Sequence, residues 1–258
     1  MLVVISILGI LAALTVPALK NLGKSNAQIS ASRQLLDGVG RARQLAMANR
    51  TTVYMVFVPT NFWNISPGTF NTAWWQSLTL AQQTAATNLC DKQLSGYTFI
   101  SRGTLGDQPG PQNWHYLEPW QNLPDGSFIA QQKFVGTNTI VNQATGAAYP
   151  VSQFSYTNNI PFPTETTQTN PVTRANLPFL PYIAFNYLGQ LVSGKDEYIP
   201  LTRGSVLPAI DRTTKAFVLK VSPQVLEEPP GNSTNSSFNI IHVDWLTGRA
   251  VLEFQKVQ

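Results

Sequence analysis

The first nineteen residues, Met1 to Leu19, carry no charge. As a helix such a stretch is roughly 28 Å long, about the thickness of a bilayer's hydrocarbon core. The pattern predicts a membrane-spanning helix over 1–19. A cleaved secretory signal would carry a basic region ahead of the apolar run, and the sequence shows none. Within the stretch, Gly9 and Ala13 lie four apart with Ala12 beside them, a spacing on which another helix backbone packs closely. Pro17 removes a backbone donor and loosens the helix there. After Leu19 the pattern turns two-faced. Ile29, Leu35, Leu36, Val39, Ala42, Ala46 and Met47 recur at helical spacing, with Arg33, Asp37, Arg41 and Arg43 between them. One helix is therefore expected from about residue 2 to about 49, with 20–50 as its amphipathic continuation.

Beyond residue 50 the pattern changes to that of strands. TTVYMVFVP (51–59) is β-branched and aromatic and ends at a proline. Residues 74–90 read as a helix. YTFIS (97–101), SFIAQQKFV (127–135) and VSQFSYT (151–157) read as short strands, and 157–171 as a surface loop. In the last quarter PYIAFN (181–186), EYIPLTR (197–203), KAFVLKV (215–221), NIIHVDW (239–245) and RAVLEFQ (249–255) read as strands. Residues 226–237 read as an exposed loop, and LTG (246–248) as a three-residue hairpin loop with its glycine left-handed. The expected fold class is α+β. One long N-terminal helix packs on an antiparallel β-sheet domain over 51–258, which holds a large insertion at 60–180.

Charge is scarce, at 12% of residues, so the surface draws its polarity from 19 Asn and 19 Gln instead. The net charge of +4 is local. Residues 1–50 hold six cations, Lys20, Lys24, Arg33, Arg41, Arg43 and Arg50, against Asp37 alone; the remaining 208 residues hold eleven cations against twelve acids. A basic nucleic-acid-binding domain is not the expectation. A single cysteine excludes an intrachain disulfide, and two distant histidines exclude an HExxH zinc motif.

Few side chains read as chemistry. His242 alternates within a strand beside Asp244 and reads as a satisfied strand residue. Asp196 and Glu197, with Asp107 or Glu118, are oxygen donors of the kind calcium takes, but their spacing matches no named loop. Aromatics crowd 57–75 (Phe57, Phe62, Trp63, Phe70, Trp74, Trp75) and 114–120 (Trp114, Tyr116, Trp120). They read as a satellite core beneath the insertion, with a glycan-stacking surface as the alternative. Cys90 reads as a buried apolar residue. No catalytic residue, cofactor or metal is expected.

VVISILGILAALTVPAL followed by a basic amphipathic continuation resembles the N-terminal helix of type IV pilins and type II secretion pseudopilins. In that family a Phe-Thr-Leu-Ile-Glu type stretch precedes the apolar run. Met1 stands where the first leucine of the next block falls, Leu2, Val3, Val4 and Ile5 follow in register, and Pro17 matches the helix-loosening proline. Residues 41–58, 182–191 and 240–254 resemble the GspH/FimT type of minor pseudopilin. The leader, the cleavage glycine and the assembly glutamate of the family are missing, and the resemblance implies an upstream extension that encodes them. It further implies a filament subunit, not an enzyme, whose assembly helix uses Leu2, Val3, Val4, Ile5, Gly9, Ala12, Ala13 and Pro17. Implied partners are other pilins through helix packing, inner-membrane lipid, a prepilin peptidase and an assembly platform. The implied location is the bacterial inner membrane, single-pass, with the C-terminal domain in the periplasm or extracellular filament. Taken literally, Lys20 and Lys24 would place that domain inside by the positive-inside rule, opposite to the family. A membrane-anchored domain that binds carbohydrate or DNA without polymerising is the alternative. DNA itself is not an expected partner, because the tail offers only Arg249 and Lys256, with Glu253 between. The Asn-x-Ser/Thr sites at Asn49, Asn64, Asn232 and Asn235 are weak evidence for glycosylation in such a chain.

Overall fold

Helix α1, residues 27–49, buries one stripe completely: Ala31, Leu35, Val39, Ala42 and Ala46 have no exposed surface. Their spacing of three and four keeps them on one side of the helix. Each large apolar side chain so buried stabilises the fold by about 1.5–3 kcal/mol relative to exposure. The computed structural model describes residues 27–66, 68–103, 113–141, 146–157, 160–167, 177–233 and 239–253.

The strands that follow are β1 Thr52–Phe57, β2 Asn64–Ser66, β3 Thr69–Phe70, β4 Gly96–Arg102, β5 Trp114–Tyr116, β6 Gln121–Asn122, β7 Ser127–Ile129 and β8 Asn138–Val141. Then come β9 Ala148–Val151, β10 Ser155–Thr157, β11 Leu180–Phe185, β12 Glu197–Leu207, β13 Gln224–Glu227, β14 Asn239–Val243 and β15 Ala250–Glu253. Two short helices, α2 Thr72–Ser77 and α3 Leu80–Asn88, lie between β3 and β4.

The strands form two main antiparallel sheets. The first runs β10–β11–β1–β4–β5, with β6 also on β4; the second runs β13–β12–β14–β15, with β7 also on β12. Both turn a face to α1. Val53, Met55 and Phe57 of β1 share one core with Ile199 and Leu201 of β12, Ile241 and Val243 of β14, and the α1 stripe. The other face of the first sheet is buried as well. Val56 and Ile100 pack there with Phe62, Trp63, Trp74, Trp114 and Phe162. β1 therefore reads as a nearly unbroken apolar run, as expected of a strand covered on both sides.

The α+β expectation holds for the described residues: an N-terminal helix followed by antiparallel sheets. Its finer parts need correction. The expected transmembrane helix and single-pass inner-membrane placement are overturned, because no helix among the described residues is long and apolar enough to cross a membrane. α1 carries Arg33, Asp37, Arg41 and Arg43 between its apolar positions, the make-up of a helix with a core on one side and water on the other. The expectation itself fell on residues 1–19. These, with Leu2, Val3, Val4, Ile5, Gly9, Ala12, Ala13 and Pro17, lie outside the described residues.

Residues 60–180 are not a mere insertion either, since β4 is the strand next to β1 in the first sheet. The helix expected over 74–90 is broken at Leu78 and Thr79. Thr79 caps α3 in a reciprocal pair with Gln82, which starts a new helix there. Residues 215–221 form no strand, only an isolated bridge from Ile210 to Phe217. The stretch at 127–135 is a strand only to Ile129 and then turns, placing Lys133 inside. Within the expected surface loop, Ile160 and Phe162 are fully buried, because they plug the aromatic core.

Candidate functional site

α1 is fixed to the sheets along its length. Near its described start, Ser32 donates to the Gln28 carbonyl (2.9 Å) and accepts from the Asn239 amide (3.0 Å). At mid-helix, Gln34 donates to the Asn122 carbonyl (2.8 Å), and Arg41 pairs with Glu118. Near the C-terminal end, the Arg43 Nε donates to the Thr247 carbonyl (2.7 Å).

Arg43 sits where two hairpin tips meet. The first tip is the turn 186–190 after β11; the second is 244–249 between β14 and β15. The Leu191 amide donates to the Trp245 carbonyl (2.9 Å) and ties them together. Their closest approach runs through two glycines. A Cβ on Gly248, at φ +63°, would stand 1.9 Å from the Gly189 carbonyl oxygen. Gly189, at φ +79°, lies against Arg43 and Met47. The left-handed φ favours glycine at both, and at Gly248 the backbone leaves no space for a Cβ. The turns cap themselves. Asp244 Oδ1 accepts from the Thr247 N–H and hydroxyl (both 2.6 Å), which holds its carboxyl below the usual range. Asn186 Oδ1 accepts from the Leu188 and Gln190 amides. Exposed at the tips are the apolar Tyr187, Leu188, Val192, Trp245 and Leu246, each 40–60% exposed, with the polar Thr247 and Arg249 exposed beside them.

His242 lies on the outward face of the second sheet. Its Nε2 is 3.2 Å from Asp196 Oδ2, its Nδ1 is 3.0 Å from Glu253 Oε1, and its ring stacks on Tyr198 at 4.5 Å. With a carboxylate on each nitrogen, neither is left to act on a substrate, so the satisfied-residue reading holds. The oxygen donors named for calcium are scattered. Asp196 faces His242, Glu197 faces Lys133, Glu118 faces Arg41, and Asp107 lies outside the described residues. Among the described residues no group of three or more His, Cys, Asp and Glu side chains could hold a metal ion. The aromatic clusters form the second core as expected, except Phe57, which belongs to the core under α1. Arg249 is exposed beside the hairpin tip, and Lys256 lies outside the described residues.

Sequence reasoning missed two arrangements. One is the buried Lys133–Glu197 pair, whose ammonium also donates to the Ser152 carbonyl (2.8 Å) and lies 4.7 Å from the Phe154 ring. Burial pulls the Lys133 ammonium below its ordinary range, and Glu197 opposes that shift. The other is the meeting of the hairpin tips, whose sequence signal was the glycine in each turn. Comparison with protein families, curated proteins and solved structures gives no match for this chain.

Burial raises the buried thiol and phenols. Cys90 is pushed from 9.0 up to about 12, and Tyr156 from 10.0 up to about 12. Tyr54, Tyr97, Tyr116, Tyr182 and Tyr198 shift upward too. A group raised in the folded state adds stability that is complete below its unfolded value and is lost as pH climbs through the folded one. Lys133 works the other way, as one group against seven. The melting temperature is expected to fall steadily between about pH 9 and pH 12. Tyr156→Phe should flatten that fall, and Cys90 should resist thiol reagents until the chain unfolds. A melting temperature flat across this range would show that these groups titrate alike in both states.

Proposed function

We propose that this chain is a structural subunit of a type IV pilus-like or type II secretion pseudopilus filament, assembled through its N-terminal helix. The observation that carries the reading is the seating of α1. One stripe is locked to both sheets, while Arg33, Asp37, Gln44 and Ala48 stay exposed along the helix. In sequence the helix follows, after residues 20–26, the uncharged stretch that resembles a pilin assembly segment. A rigid sheet body on a helix with a free side is a part suited to lateral helix packing. The outward histidine is occupied by carboxylates, which favours a structural role over chemistry.

The test is site-specific cross-linking from position 13 in assembling cells. Gly9→Leu should lower cross-links to neighbouring subunits and filament yield several-fold, because a larger side chain holds the next helix away. Ala48→Leu, at an exposed α1 position, should change neither. Equal cross-linking in Gly9→Leu and the parent chain would remove this face from assembly. A chain that never cross-links to another subunit would favour the non-polymerising binding domain.

A further inference from the structure

The two hairpin tips beside Arg43 expose five large apolar side chains, edged by exposed Ser193, Lys195, Thr247 and Arg249. Tyr187 is 60% exposed, Leu188 57%, Val192 53%, Trp245 40% and Leu246 52%. Contiguous patches of some hundreds of Å² on a monomer are often functional. This one is also prepared for burial. The Trp245 amide donates to Asp196 Oδ1 (2.9 Å), Asp244 accepts from the Thr247 amide, and Asn186 accepts from the Leu188 and Gln190 amides. Covering the tips with an apolar partner therefore leaves these four backbone amides paired, and unpaired polar groups are the usual cost of such an interface. The tips are held in place by the glycine contact and by Arg43, so little ordering is needed on binding.

The chain itself carries a segment of matching chemistry. Met1–Leu19 has no charge over nineteen residues, and Leu, Ile, Val and Ala make up most of it. It precedes α1, whereas the patch lies at Arg43, about 24 Å further along the helix axis than residue 27. In a filament, a neighbouring copy supplies such a segment. Such a contact joins two different surfaces and does not close on itself, which is the geometry of an open filament.

We propose that the paired hairpin tips, Tyr187–Leu188 and Trp245–Leu246, dock the uncharged N-terminal stretch of a second copy of this chain. The proposal rests on the filament reading and names the partner surface within it. Gly9 and Ala13 serve helix-to-helix packing; the hairpin tips take another side of the same segment.

The test uses the full chain with a photo-reactive phenylalanine analogue in place of Tyr187, as an equal mixture of isotopically light and heavy protein. After illumination and cleavage at lysine, the expected product joins the peptide containing position 187 to residues 1–20, in mixed light–heavy pairs. Leu188→Asp with Leu246→Asp should lower its yield about tenfold or more, the scale of losing two buried leucines. Both positions are exposed, so the melting temperature should stay unchanged. Light–light and heavy–heavy pairs alone would mean that the segment folds onto its own chain, and the proposal fails. Cross-links to any other segment, or none, also overturn it. Cross-linking from position 13 is run in parallel. If that persists between copies while position 187 fails, the filament reading stands without this docking. If both fail, the filament reading falls with it.

Discussion

Glu197→Leu should destabilise the folded chain by about 3–5 kcal/mol, the usual cost of leaving one member of a buried ion pair alone. Lys133 is fully buried, and its ammonium is held by Glu197, the Ser152 carbonyl and the Phe154 ring. Without the carboxylate, the amine must stay charged with one carbonyl and a ring, or give up its proton inside the core. Lys133→Met with Glu197→Leu should recover most of the loss, since two apolar side chains of similar size need no partner. The pair also ties the turn at residues 131–133 to Ser152, just after β9, and to β12. The single variant should therefore loosen the β8–β9 hairpin first, seen as faster amide exchange at 138–151. Urea unfolding of the three proteins measures the effect. A single variant within 1 kcal/mol of the parent, on the scale of an exposed pair, would show that this charge is solvated in practice.

Gly248→Ala should destabilise the folded chain by about 3 kcal/mol or more. The new Cβ would stand 1.9 Å from the Gly189 carbonyl oxygen, a backbone atom that cannot swing away, at a left-handed φ of +63°. To relieve the overlap the two tips must part, which also breaks the Arg43 bond to Thr247. A fall of about 2–4 °C in melting temperature per kcal/mol is expected for a chain of this size. Gly40→Ala is the comparison. It lies in α1 with nothing within 4 Å of the added Cβ, so helix propensity should make it neutral or stabilising by up to about 1 kcal/mol. If Gly248→Ala melts with the parent, the tips are not in contact in solution, and their service as one docking surface goes too.

The parts legible in the sequence are those governed by local pattern. The helix end at 49 and the strands β1, β4, β11, β14 and β15 lie where periodicity and β-branched content placed them. The turn at 246–248 has its glycine left-handed, as a three-residue hairpin requires. The aromatic crowding at 62–75 and 114–120 makes a second core, because so much ring surface in a weakly charged chain must be covered.

The failures share one cause. KAFVLKV has the composition of a strand, but no partner strand lies beside it beyond one bridge, and composition does not supply a ladder. IPFP has the composition of a loop, yet Ile160 and Phe162 fill the space beside Trp74. Along the chain, then, the sequence by itself determined which positions are apolar, how they recur and where the backbone must turn. The tertiary structure alone decided what covers them: two sheets on one helix, Lys133 against Glu197 across 64 residues, and Arg43 against Thr247 across 204. Periodicity records the face a residue turns inward, a property of its own few neighbours. The partner it meets there is fixed by chain closure and packing over the whole molecule.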